Sequence, residues 1–295
     1  MNDVFRGVLG VVDDLALLVG FVLVAGTLAS WVTMAPNGRS DRRQVRLVHV
    51  GAVVLGVATL AVPLLAPRAG ADAGALVGAV SRETWTAGLV RLAVLVALLA
   101  WADELVSGPI TASRRRWAGV AVVTLSATFV LPSEVHGSLD GPAGALVDVA
   151  LLAHVVAAAV WLGGALVIAV VGLPTGDLHD LSAAVRSFSR ITLATVATVV
   201  VSGVVILLVQ ASDGASTGAG YGAMLLVKGA AFVGMVVAAH HGRRRLDGMV
   251  FHRLRVGSDA LSRVQASSLL IGAQLVLGAV LLGATVALGA VGPSL

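Results

Sequence analysis

The sequence predicts an all-α fold, a polytopic membrane bundle of about eight transmembrane helices, on three observations. Of 295 residues, 58% are hydrophobic and only 12% charged, against about 45–50% apolar and about 25% charged in soluble domains. The mean hydropathy is +0.97. The apolar residues also gather in runs long enough to cross a bilayer, which needs about 20 residues per helix. Those runs lie at about 15–34, 47–66, 85–102, 117–132, 145–171, 191–210, 221–239 and 266–291. The fourth is short, and the fifth and eighth are long enough to tilt.

Pro, Gly and charged clusters separate the runs and leave only short loops. The chain therefore reads as one integral membrane domain, 1–295, with four helices in 1–132 and four in 133–295. The first 14 residues carry Arg6 against Asp3, Asp13 and Asp14. That is the wrong charge for a signal peptide, so the first run is read as a span.

Orientation follows from arginine placement. Arg39, Arg42, Arg43 and Arg46 precede the second run, Arg114, Arg115 and Arg116 the fourth. Arg243, Arg244, Arg245, Arg253, Arg255 and Arg263 follow the seventh. These clusters belong inside. The opposite loops carry Glu134, Asp140 and Asp213. Both termini are then expected outside, in a multi-pass protein of the cytoplasmic membrane.

The net charge of +4 does not signal nucleic acid, because the basic residues lie in clusters between spans without interleaved aromatics. The absence of cysteine removes disulfides, thiolate metal sites and iron–sulfur clusters. No nucleophile–base pair or catalytic-metal motif stands out, so a non-enzyme is expected.

A faint internal repeat divides the chain. Asp14-Leu-Ala-Leu-Leu-Val-Gly20 opens the first span and Asp148-Val-Ala-Leu-Leu-Ala-His154 the fifth. Leu89-Val-Arg91 and Leu226-Val-Lys228 follow at similar offsets. This reads either as two parallel four-helix repeats or as chance likeness of apolar strings. In the eighth span Gly272, Ala279, Gly283 and Ala287 share a face suited to close helix packing.

Charged groups within spans are costly and default to functional candidates. Asp14, Arg91, Asp148 and Lys228 are the intramembrane charges. They are expected as two ion pairs, Asp14 with Arg91 and Asp148 with Lys228, in a structural or an ion-relay role. His154 breaks the repeat, standing where Gly20 stands. It lies about 15 Å deep at the helical rise and shares a face with Ala158, Trp161 and Ala165. It is either a metal ligand or a core histidine bonded to a carbonyl. His136 lies among acidic outer-loop residues. Met224 shares a face with Tyr221, Lys228 and Met235, and thioether with imidazole suits Cu(I). His49, His240 and His241 sit near inner helix ends, His179 and His252 in inner loops.

Several segments resemble the copper resistance protein D family. They are His154-Val-Val-Ala-Ala-Ala-Val-Trp161-Leu-Gly163-Gly164, Phe188-Ser189-Arg190, Ser202-Gly203, Tyr221-Gly222-Ala-Met-Leu-Leu-Val-Lys228, Arg243-Arg244-Arg245 and the closing Pro293. They follow one another in the family's order over 136–293; the first half is similar only through Arg91. The resemblance implies an eight-helix membrane protein of copper uptake or handling. The expected metal ligands are His154, His136 and Met224, with Trp161 in support and Cu(I) as the metal. Family members often carry Gly-His before the fifth helix, whereas the order here is Val135-His136-Gly137. No fused copper-binding β-domain fits, so a separate outer copper carrier is the expected partner beside the lipid bilayer. The alternatives are a b-type haem electron-transfer protein and a ligand-free scaffold.

Overall fold

The structure, a computed structural model, describes residues 3–34, 42–65, 82–106, 111–130, 142–172, 178–212, 219–251 and 259–291. Among these residues it is helical throughout, without strands. In order the helices are α1 (Asp3–Met34), α2 (Arg42–Leu65), α3 (Arg82–Val106), α4 (Ala112–Val130), α5 (Pro142–Val167), α6 (Leu178–Ser212), α7 (Ala219–Phe251) and α8 (Asp259–Val291). A π-helical turn, Ile168–Gly172, extends α5. The chain is a multi-pass membrane protein.

Seven helices are long and apolar enough to cross a membrane; α4 is the exception. Its 19 residues spend their first turns on Arg114–Arg116. The remainder of the described helix, Trp117 to Val130, is mostly apolar. All eight helices that the sequence predicts are present among the described residues. The fourth, α4, buries Ala118, Val122, Leu125, Ser126 and Thr128 in the bundle. It begins where Thr111 caps it: the hydroxyl oxygen accepts from Arg114 N–H at 3.3 Å.

Helices outlast their apolar runs. α6 begins at Leu178, so His179 lies in a helical first turn and not in a loop. α7 continues through the arginines to Phe251. Hydropathy marks where lipid is; the backbone hydrogen-bond ladder continues beyond it into the interface. Pro142 suits the first position of α5, where no N–H is needed.

α1 is the hub. It packs on α2 and α5 and also touches α4, α6 and α8. The α1–α5 crossing rests on bare backbone: a Cβ at Gly26 would lie 2.8 Å from the Ala159 carbonyl oxygen, and the nearest atoms to a Cβ at Gly163 belong to the Gly26 backbone. Such small-residue contacts bring helices together where no hydrophobic effect drives them. The interior gathers Phe21, Leu28, Leu55, Leu125, Trp161 and Met235. Leu193 and Leu226, each 76% exposed, face outward, as a lipid-bathed surface requires. Buried hydroxyls turn back on their own helices: Ser30 donates to the Gly26 carbonyl at 2.7 Å and Ser126 to Val122 at 2.8 Å.

α7 and α8 form a close hairpin, and α5 pairs with α6, whereas α6 and α7 touch little. The expected small-residue face of α8 is not its packing face. A Cβ at Gly272 or Gly283 would meet nothing within 4 Å, whereas one at Gly278 would approach Leu162 Cδ2 to 2.9 Å. Spacing identified a shared face; polar Gln274, Gly278 and Ala284 mark the one turned inward.

Candidate metal and cavity site

Two charged or polar centres occupy the interior, and they differ in kind. The first is Arg91 on α3, 6% exposed. Its Nε donates to Thr128 Oγ1 at 3.1 Å, one terminal nitrogen to Thr59 Oγ1 at 3.2 Å and the other to the Thr128 carbonyl at 2.9 Å. Both threonines give their own protons to backbone carbonyls, Thr59 to Leu55 at 2.7 Å and Thr128 to Leu125 at 2.6 Å. Their oxygens are thereby left as acceptors. The guanidinium also lies 4.3 Å from the centre of the Phe129 ring, which packs 4.7 Å from Phe21. One cation thus ties α1, α2, α3 and α4 together through neutral oxygens and a π face.

The expected Asp14–Arg91 pair is not formed. Asp13, one residue earlier, is the carboxylate whose charge reaches Arg91, while Asp14 is exposed. Successive helix positions point about 100° apart, so only one of the two can face α3. No ion pair within 4 Å joins Arg91 to either, or Asp148 to Lys228, among the described residues.

The second centre is His154, near the middle of α5. Its Nδ1 lies 3.1 Å from Ser202 Oγ on α6. Ser202 donates its only proton to the Thr198 carbonyl at 2.6 Å, with Val199 O at 3.2 Å. A hydroxyl that has spent its proton can only accept, so His154 carries hydrogen on Nδ1. That tautomer is assigned from the network. The Val199 backbone also takes a hydrogen bond from the ring, and with hydrogen on Nδ1 the ring's lone pair lies on Nε2.

The ring opens into a cavity of about 380 Å³ between α5, α6, α7 and α8. Tyr221, Lys228 and Phe232 supply the α7 wall, Gly203 and Val199 the α6 wall, and Trp161 the floor. Trp161 meets Phe232 edge-on at 5.2 Å. The Lys228 charge reaches His154. Lys228 lines the same cavity as the histidine. Asp148 sits half-buried on α5, six positions before His154. Met224 is half-buried on α7 but is not among the residues that line this cavity. His136 lies outside the described residues. Among the described residues no three His, Asp or Glu side chains converge as a metal cluster. His154 supplies one imidazole donor, a ligand type that suits copper.

His49 and His241 are accounted for locally, each with Nδ1 on the carbonyl four residues back, at 2.8 Å to Val45 and 2.9 Å to Val237. His252 lies outside the described residues.

Residues 182–288 match the family model of copper resistance protein D. The match supports membership of that family. It covers all of the α6, α7 and α8 wall of the His154 cavity, including Gly203, Tyr221 and Lys228. The matched family is one of copper resistance. No curated protein and no solved structure matches the chain.

The copper resistance protein D motifs named several wall residues without their roles. Ser202 was legible as part of a motif but not as the acceptor that fixes a tautomer. Thr59, Thr128 and Phe232 carried no signal: a threonine or phenylalanine within an apolar run looks like filler until its neighbours on other helices are known.

Proposed function

We propose that the chain carries copper across the cytoplasmic membrane, from the outer face inward, with both termini outside. His154 is the intramembrane ligand. The ion is cargo, arriving as Cu(I) from a separate outer copper carrier, and no covalent step is involved. The observation that carries this reading is the His154–Ser202 pair. It holds an imidazole that lines a cavity in the tautomer that leaves a lone pair on Nε2, at a depth where a polar group is costly. The family match on three of the four cavity walls supports copper as the ion. His136 and Met224 are the further ligands of this reading, on their donor types alone.

The test is metal analysis of purified protein together with cellular copper accumulation. His154→Ala is expected to fold, because a methyl is tolerated there, and to lose both bound copper and uptake. His179→Ala is expected to change neither. A folded His154→Ala protein with normal copper content and uptake overturns the assignment. A Soret band in the purified protein would favour the haem reading instead. That reading needs a second axial ligand facing His154, and no second histidine lines its cavity among the described residues.

A further inference from the structure

A second cavity, of about 190 Å³, lies between the same four helices at their arginine-rich ends. Its wall runs from Ser189 to Val196 on α6 and from Val236 to Gly242 on α7. The apolar stretches of these helices are Ser187–Val209 and Gly220–Gly242. The cavity therefore starts at the edge of the hydrocarbon and reaches inward about 13 Å along α6 and about 9 Å along α7, at the helical rise. The His154 cavity begins deeper: the lining passes from Ala165 to Trp161 on α5 and from Val236 to Phe232 on α7.

This cavity has an open side. α6 and α7 touch little, and Leu193, which lines the cavity, is 76% exposed. The wall thus runs out onto the surface that faces lipid, and a molecule enters it from the bilayer.

Two features select that molecule. Gln274 of α8 lines the cavity and is 7% exposed, and no hydrogen bond to its side chain occurs among the described residues. An amide so buried ordinarily finds a partner, and a phospholipid brings ester carbonyls that accept from an amide N–H. At the mouth, Arg190 follows Ser189 on α6 and Arg244 stands two positions beyond Gly242 on α7; both are exposed. No acidic residue lines the cavity. A basic pocket between transmembrane helices at the arginine-rich face suits an anionic headgroup.

We propose that this cavity binds one anionic phospholipid, with its phosphate at the mouth beside Arg190 and Arg244 and an acyl chain running inward between α6 and α7. The lipid fills the gap that these two helices leave. This site stands apart from the copper reading and does not depend on it.

The test is binding of radiolabelled phosphatidylglycerol to the purified full chain in detergent. One tightly held molecule per chain is expected, displaced by unlabelled phosphatidylglycerol and not by phosphatidylcholine or inorganic phosphate. An Arg190→Gln, Arg244→Gln double variant is expected to bind about 25-fold more weakly, at about fivefold per arginine. Arg42→Gln with Arg46→Gln removes the same charge from α2 and is expected to leave binding near normal. Ala239→Phe fills the cavity from α7 and is expected to abolish tight binding with both arginines in place. Equal losses in the two arginine pairs overturn the headgroup site, because net charge alone then accounts for the attraction. Unchanged binding in Ala239→Phe overturns the cavity as the seat of the chain. Displacement by phosphatidylcholine overturns the selection for charge, and displacement by inorganic phosphate shows a free-phosphate site in its place. Helicity in detergent checks the fold of each variant.

Discussion

His154 Nδ1–H donates a hydrogen bond to Ser202 Oγ, whose own proton is already committed to the Thr198 carbonyl. The direction of one hydroxyl on α6 thus determines which nitrogen of a ring on α5 is available. Ser202→Ala removes that acceptor while leaving His154 in place. Copper affinity is expected to fall about 10–100-fold, the usual cost of losing a ligand's orienting partner. Ser202→Thr is expected to restore it. Nitrogen chemical shifts of the His154 ring provide the independent check: the Nδ1-protonated pattern is lost in the alanine variant and kept in the threonine variant.

Lys228 lines the cavity with His154, and like charges repel. At an effective dielectric of about 20, a cation about 10 Å off raises the cost of a bound Cu(I) by about 1–2 kcal/mol. Lys228→Gln is therefore expected to tighten copper binding about tenfold and slow its release, while Lys228→Arg leaves both near normal. Competition against a chromogenic chelator reads this directly. Weaker binding in the glutamine variant would show instead that Lys228 stabilises the ion, through an anion brought with it.

Arg91 reverses the usual order of conservative substitution. Lysine keeps the charge but cannot reach Thr59, Thr128 Oγ1 and the Thr128 carbonyl in one plane. Arg91→Lys buries a poorly paired ammonium, at a cost on the order of 3 kcal/mol. Arg91→Met removes the charge, and both threonines keep their bonds to their own helices. Methionine is expected to melt higher than lysine. The opposite ranking in detergent would mean that the Asp13 charge dominates.

Gly26 and Gly163 have no room for a methyl, because the atoms in the way are backbone. Each Gly→Ala change is expected to cost at least the 1–3 kcal/mol typical of overpacking. Gly283→Ala meets open space and gains helix propensity, up to about 1 kcal/mol. Thermal melts of the three variants should separate cleanly in sign.

Topology is tested by cysteines introduced at Ser40 and Ser138, which fall in an arginine-rich and an acidic loop. An impermeant maleimide is expected to label the Ser138 position from outside and the Ser40 position only after permeabilisation. Labelling of both in intact cells reverses the assignment.

The apolar runs located every long helix, because lipid imposes a one-dimensional demand that a sequence answers directly. The fourth run is the shortest, because arginines occupy the first turns of α4. The charges were found but not their partners. Which of Asp13 and Asp14 faces α3, and whether Lys228 turns to Asp148 or His154, depends on helix rotation. A uniformly apolar surface leaves rotation almost unmarked. His154 stood out because a lone imidazole at midspan is conspicuous; Gln274 was passed over because one amide among α8's leucines carries no pattern.

Both cavities take one wall from the α5–α6 pair and the other from the α7–α8 hairpin, and α6 and α7 scarcely touch. Between the cavities, Leu162 of α5 lies close over Gly278 of α8. That contact has the placing of a fulcrum. A hairpin tilting about it as a rigid lever widens one chamber by the movement that narrows the other. A side chain grown at position 278 would press on Leu162, and through it on the His154 cavity that Leu162 lines.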